Sequence, residues 1–337
     1  MLNPSLWEIV DFPADSQPML MVLVDTEEEF DWSKPHSPQS NQVTAVRHLS
    51  RPHRIFERYG IKPTYLVDYP VITKIDGLLP LREIYQHGLC EIGAHLHPWV
   101  NPPFREEVSQ FTSYPGNLPC ELEHAKLLRL TEAIRIGIGR SPTVYRAGRF
   151  GVGHATTRIL RTLGYEIDVS VVPETNFQDD FGPDFSACGA RPYWFGTPPT
   201  LLEIPLTVGF YGGLRKIGQR LYRSATSSVL SALRAPSILA RSGLLERIRL
   251  SPEGIAYNEL KRLTDTMLRE RHKVFCFTYH SPSLAPGNTP YVRTDRDLQG
   301  FLDKFDRYFE YFFGAVGGRG VTPNEVRGLA LRYKLHG

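Results

Sequence analysis

The chain has 337 residues, 39 Lys and Arg against 36 Asp and Glu, and a formal charge of +3. That length fits two ordinary domains or one large α/β barrel with insertions, and it is long enough to bury a large core. A hydrophobic fraction of 41% and a charged fraction of 22% exclude a mainly disordered or fibrous chain, and a charge of +3 is no footprint for nucleic acid.

Seven short runs rich in Val, Ile, Leu, Tyr or Phe have the length of buried strands: 19–26, 63–68, 89–95, 143–148, 165–171, 201–207 and 273–279. Between them lie segments with helical spacing. Residues 42–59 carry Val46, Leu49, Ile55 and Phe56 and stop at Gly60. Residues 121–136 carry Leu122, Leu127, Leu130 and Ile134, and 154–163 end at Gly164. Residues 255–272 lead into the last strand, and 295–313 open on Thr294 or Asp295 as a cap. Alternating strands and helices predict parallel βα units, in a barrel or a doubly wound sheet.

Two segments fall outside the alternation. Residues 99–119 are rich in Pro, Gly and Asn and predict a loop. Residues 208–252 predict a Gly-rich turn followed by a basic helical insertion with Arg215, Lys216, Arg220, Arg223, Arg234, Arg241, Arg247 and Arg249. Its two readings are a solvated helical hairpin and a basic surface in peripheral contact with a membrane or a partner. Cys90, Cys120, Cys188 and Cys276 form no CxxC, and three sit in or beside apolar runs as expected of buried thiols. No secretory signal or membrane-spanning stretch is seen, so the expected location is cytoplasmic.

In parallel α/β folds the chemistry gathers at the carboxyl ends of the strands. The first strand ends in Asp25-Thr26-Glu27-Glu28-Glu29, the third in His95-Leu96-His97-Pro98-Trp99 and the fourth in Arg146-Ala147-Gly148-Arg149. The fifth carries Asp168 and Ser170, and the seventh ends in Tyr279-His280-Ser281. A strand period of two puts Asp25 with Glu27, and His95 with His97, on one side. Two imidazoles and a carboxylate form a common catalytic zinc set with one position open to water. A second carboxylate beside it takes a proton from that water, and a separate His protonates a leaving group. Taken singly, each of these residues has an ordinary structural reading; their placement at one edge of one sheet points to metal-assisted hydrolysis of an amide or ester.

The segments VDTEEEFDW, EIGAHLHPWVNPP, YRAGRFG and FTYHSPSLAPGNTPYV resemble the NodB-homology polysaccharide deacetylases, carbohydrate esterase family 4, and within them the WalW-like branch associated with lipopolysaccharide biosynthesis. The resemblance covers roughly residues 18–320 apart from the insertion. It implies a distorted (β/α)7 barrel over residues 1–337, with 208–252 inserted, and a divalent metal, with zinc expected. It implies Asp25 as base, Glu27 as ligand with Glu28 as fallback, Arg146 orienting Asp25, Asp168 tuning the general acid, and His280 as that acid. The family's second motif has histidines four apart. Here His95 matches the first, the next is His97, and Trp99 stands at the usual ligand position. Either His97 reaches the metal through an altered loop, or the site is weakened or lost.

The implied substrate is an N-acetylated glycan or glycolipid, with Trp99, Tyr291 and Tyr211 as candidates for stacking on sugar. Alternatives are an amidohydrolase of this fold acting on a small amide, and an inactive glycan-binding relative. An unrelated TIM-barrel amidohydrolase fits less well, because HxH follows the third strand here and not the first.

Overall fold

A computed structural model describes residues 7–218, 221, 239, 242 and 244–336. The main sheet has ten strands among the described residues, and β2 (Met19–Thr26), buried along its whole length, pairs in parallel with three of them. Five further strands of the predicted series follow it: β3 (Thr64–Val67), β4 (Glu91–Leu96), β5 (Val144–Ala147), β6 (Ile167–Asp168) and β8 (Leu201–Glu203). With β11 (Val274–His280) they give the parallel order β8-β6-β5-β4-β3-β2-β11. Strand β7 (Tyr193–Phe195) pairs antiparallel with β8, β1 (Glu8–Ile9) pairs with β7, and β12 (Arg319–Gly320) pairs with the start of β2. These three short strands carry no separate periodic signal in the sequence.

The predicted helices are present: α1 (Ser50–Arg58), α4 (Cys120–Ile138), α5 (Thr156–Thr162), α6 (Tyr257–Arg269) and α7 (Asp295–Phe309). Thr294 is the cap of α7, its hydroxyl accepting from the Asp297 amide at 3.2 Å. Two helices fill the stretch between β3 and β4, α2 (Tyr69–Thr73) and α3 (Ile75–Gln86), and α8 (Pro323–His336) closes the chain. The helices cover one face of the sheet through a cluster that includes Val22, Val24, Phe56, Tyr65, Tyr145, Leu130, Phe305 and Phe309. The other face holds Met21, Leu23, Leu66, Val144, Ile167, Val169, Leu202 and Cys276. Burial on both faces is why these strands read as continuous apolar runs.

The curled sheet does not close into a complete barrel. Pro205 follows β8 and has no amide to donate, so the ladder stops there. Among the described residues, single bonds span the gap to β11, such as the Cys276 amide to Thr207 Oγ1 at 2.8 Å and the Thr278 amide to the Leu250 carbonyl at 3.1 Å.

The ends of the 208–252 segment differ from the predicted turn and helix. They form an antiparallel ribbon, β9 (Val208–Tyr211) with β10 (Glu246–Arg249), in which Tyr211 pairs with Glu246. Arg215 pairs with Glu270 at 3.3 Å, and Arg247 donates to the Pro173 carbonyl at 3.2 Å. Arg220, Arg223, Arg234 and Arg241 lie outside the described residues. All four cysteines are free, with Cys90, Cys188 and Cys276 buried. Among the described residues, no helix is long and apolar enough to cross a membrane.

Candidate active site

Strand register assembles the site. His280 is paired with Asp25 across β11 and β2, and His95 with Arg146 across β4 and β5, so all four side chains leave one face at the strands' carboxyl ends. Asp25, His95 and His280 line a cavity of about 350 Å³ together with Glu27, His97 and Trp99, and Arg146 lies behind Asp25.

The Nε2 atoms of His95 and His97 lie 3.4 and 3.5 Å from the same oxygen, Glu27 Oε2. Each ring is turned by its other nitrogen. His95 Nδ1 faces the Arg146 carbonyl at 3.2 Å, and His97 Nδ1 faces Glu28 Oε2 at 2.8 Å. A donated Nδ1–H in both leaves the Nε2 lone pairs directed at Glu27. Burial, and then the neighbouring His97, holds His95 well below the usual imidazole range; burial above all takes His97 down to about 4. Both rings are therefore neutral at pH 7, the form that binds a metal.

Three observations fit a divalent cation here. Donors about 2.1 Å from a shared tetrahedral ion stand about 3.4 Å apart. Glu27 Oε1 is buried with no hydrogen-bond partner. Burial, and then the charges of Glu28, Asp25, Asp68 and Glu253, push the Glu27 carboxyl well above its usual range, so this corner carries an uncompensated excess of acid. Glu27, His95 and His97 form one of two buried groups, among the described residues, with ligand atoms close enough to share an ion. The second, Glu28 with Asp68 and His97, sits behind the first and is already occupied: Glu28 accepts from Trp99 Nε1 at 2.7 Å, and Asp68 from the Glu28 amide at 2.6 Å.

Trp99, at the position where the resembled family has its second histidine, turns its Nε1 to Glu28 instead of to Glu27. It is 1% exposed, stacks on His97 with ring centres 4.3 Å apart, and has His36 stacked on its other side at 4.1 Å. The two-residue spacing is accommodated by Gly148, where a Cβ would stand 2.4 Å from the Leu96 carbonyl oxygen and 2.5 Å from His97 Cδ2. Only a glycine lets the His97 ring lie against that backbone.

Asp25 is bonded to Arg146 Nη1, and Arg146 is fixed in turn by the Val169 carbonyl at 3.0 Å and Thr278 Oγ1 at 3.0 Å. Burial alone would raise the Asp25 pKa; Arg146, His95 and His280 outweigh it and hold the carboxyl below its usual value. On the far side, His280 Nε2 lies 3.6 Å from Asp25 Oδ2.

The residue expected to tune His280 is replaced. Asp168 stands between Ile167 and Val169, both of which face the interior, so its side chain leaves the opposite face of the sheet. There it accepts from the Ser170 amide at 2.7 Å and adjoins Glu203, which accepts from the Val171 amide at 3.0 Å. Burial, and then Asp168, pushes the Glu203 carboxyl well up, so the pair retains a proton. These side-chain bonds also use amides that would extend β6, which is why it ends at 168. Glu253 is the partner of His280, bonded to its Nδ1 at 2.7 Å and held by Ser283 Oγ at 2.6 Å. Burial favours neutral His280, but Glu253 and then Asp25 outweigh it and raise its pKa.

Of the three proposed stacking residues, Trp99 lines the cavity from a buried position. Tyr291 stands behind the wall, edge-on to Trp32 at 5.7 Å, and Tyr211 lies elsewhere, its ring under Arg262 at 4.9 Å. Trp32, absent from the sequence expectations, is the exposed aromatic of the cavity, with its ring centre 5.1 Å from that of His280. The opposite wall is tied by Asp180, which takes Arg149 and Tyr114 Oη (2.7 Å) on one oxygen and Gln110 Nε2 (2.5 Å) on the other. Asp180 ends the single 3-10 turn Gln178–Asp180, which carries no periodic signal, and Arg149 lies in the turn Gly148–Phe150 that follows β5.

No protein-family model and no curated protein matches the chain in sequence. Solved structures do match in fold. A polysaccharide deacetylase from Mycobacterium smegmatis superposes with a TM-score of 0.56 at 17% identity, covering 99% of this chain and 96% of that one. Puue Allantoinase superposes with a TM-score of 0.55 at 16% identity, covering 96% and 92%. The fold is therefore the α/β class of these proteins over nearly the whole chain.

Proposed function

We propose that this chain is a metal-dependent hydrolase that removes an N-acetyl group from a sugar of a polysaccharide or lipopolysaccharide precursor. The observation that carries the reading is the convergence of His95 Nε2 and His97 Nε2 on Glu27 Oε2, with Asp25 on one side and His280 beside it. The fold likeness to a polysaccharide deacetylase supports it, as do the motif segments that resemble the lipopolysaccharide branch of that family.

Glu27, His95 and His97 would hold the ion, for which zinc is our assignment, and their neutral imidazoles and single carboxylate leave room for substrate. A bound divalent ion there supplies Lewis-acid polarisation of the acyl carbonyl and acidifies water. Asp25, kept ionised by Arg146, accepts a proton from the attacking water. His280, kept charged by Glu253, donates its Nε2 proton to the departing amine nitrogen as the C–N bond breaks. Trp99 and Glu28 act only through His97, by fixing its ring.

The likeness to Puue Allantoinase favours a second reading, hydrolysis of a small cyclic amide in the same cavity. Incubation of the zinc-loaded protein with N-acetylated glycans and, separately, with allantoin separates the two. Acetate from the glycans supports the first reading, ring-opened product from allantoin supports the second, and neither product removes both.

A further inference from the structure

The loop expected at 99–119 supplies no group to the proposed reaction, yet it starts two residues after His97. Its first stretch is wrapped around a single side chain, Lys126 of α4. Lys126 Nζ donates to the Pro98 carbonyl at 2.9 Å and to the Asn101 carbonyl at 2.6 Å, and it lies 2.8 Å from Glu106 Oε1. The Phe104 ring covers the ammonium, with Nζ 5.2 Å from its centre. Asn101 answers from the loop side, where its Nδ2 donates to the Lys126 carbonyl at 2.9 Å. Three ammonium hydrogens thus meet three oxygens of one short segment.

Lys126 is fully buried, on the face of α4 that also buries Leu122, Leu127 and Leu130. A lysine is almost never fully buried unless it is paired. A buried ion pair, however, adds little net stability over an apolar side chain of similar volume. Stability alone therefore does not account for an ammonium at this core position. The two carbonyls that Lys126 holds bracket the turn Pro98–Val100, and that turn carries Trp99. Trp99 stacks on His97 at 4.3 Å and shares Glu28 with the His97 Nδ1. Contacts run without a break from the ammonium to the His97 ring.

We propose that Lys126 is the positioning residue of this second histidine: its ammonium fixes the turn Pro98–Val100 and so aims His97 Nε2 at Glu27. The assignment rests on the reading in which Glu27, His95 and His97 hold the ion. Gly148 leaves room for the His97 ring, and Lys126 sets the turn whose Trp99 lies against it.

The test is Lys126→Met, which removes the charge at nearly the same length, with circular dichroism confirming that the variant is folded. In the metal-free protein the ring nitrogen shifts of His97 should change and those of His95 should not. Zinc affinity should fall by about tenfold or more, as for loss of an orienting partner. The visible absorption of bound Co2+ should lose intensity, a signature that a general loss of stability does not move. If Lys126→Met does not fold, Glu106→Gln takes its place. That variant removes only the countercharge on the loop, and it should move the same His97 signals in the same direction and lower zinc affinity. Equal zinc affinity in wild type and variant overturns the positioning role and leaves the metal reading standing. If the wild-type chain binds no zinc, the metal reading falls and the His97 shifts of the metal-free proteins decide: a change sustains the positioning role, and no change overturns it.

Discussion

His280 and Glu253 are joined at 2.7 Å through Nδ1, while the other imidazole nitrogen lies 3.6 Å from Asp25. Glu253 is 3% exposed, and it also accepts from the His280 amide at 3.1 Å, so both ring and backbone are tied to one carboxylate. This pairing decides which nitrogen can give up a proton to substrate.

The first prediction concerns pH. Burial depresses the His280 pKa, and Glu253 with Asp25 more than restores it, to above 6.5. Activity that needs the charged ring is present below that raised value and is lost as pH rises through it. The stability contributed by the charged ring follows the same direction: it is complete below 6.5 and lost as pH rises through the folded value. Glu253→Gln keeps a hydrogen bond but removes the charge, so the alkaline limb should move to lower pH. Nitrogen chemical shifts of the His280 ring, titrated in both proteins, check this independently of turnover. An unshifted titration rejects Glu253 as the tuning group.

The second concerns Gly148. Its Cβ position is occupied by the Leu96 carbonyl and the His97 ring, so Gly148→Ala must displace one of them. Zinc affinity should fall by about tenfold or more, as for loss of an orienting contact. Competition with a chromophoric chelator measures it, and unchanged affinity shows that His97 is not held from that side.

The third concerns Glu28, which bridges His97 Nδ1 and Trp99 Nε1. Glu28→Ala keeps the His97 imidazole but no longer holds its ring, and zinc affinity should fall by about 10- to 100-fold. If Glu28 were itself the ligand in place of Glu27, then Glu27→Ala would retain zinc; we expect that variant to lose it.

The fourth concerns Arg146, which is fully buried and bonded to Asp25. Arg146→Met strands a buried carboxylate, and urea unfolding should show a loss of about 3–5 kcal/mol. Because the Asp25 pKa lies below 3.8 in the folded chain, its stabilising contribution is complete above 3.8 and is lost as pH falls through the folded value. The variant's deficit should therefore be largest near neutral pH and shrink in acid.

The parallel strands were legible in the sequence because burial on both faces demands unbroken apolar runs, and 19–26 matches its strand residue for residue. The site groups on those strands were legible for the same reason: Asp25, His95, Arg146 and His280 follow from strand ends and the period of two. Glu253 was not, because it lies in the loop between β10 and α6, where no periodicity points. Trp32 and Asp180 were missed on the same ground. Asp168 was expected at the site because of the family resemblance, whereas the period of two sends 168 outward and Val169 inward. The 208–252 segment misled because Gly and Arg mask the short β9–β10 ribbon at its ends.

The central claim is that Glu27, His95 and His97 together hold a metal on which amide hydrolysis depends. Acetate release from an N-acetylated glycan, followed before chelation, after it, and after zinc is restored, tests that claim most directly. The account predicts release that stops with the chelator and returns with zinc in the wild-type chain, and no return in His97→Ala. Release that survives chelation, or zinc-restored release in His97→Ala equal to the wild type, contradicts it.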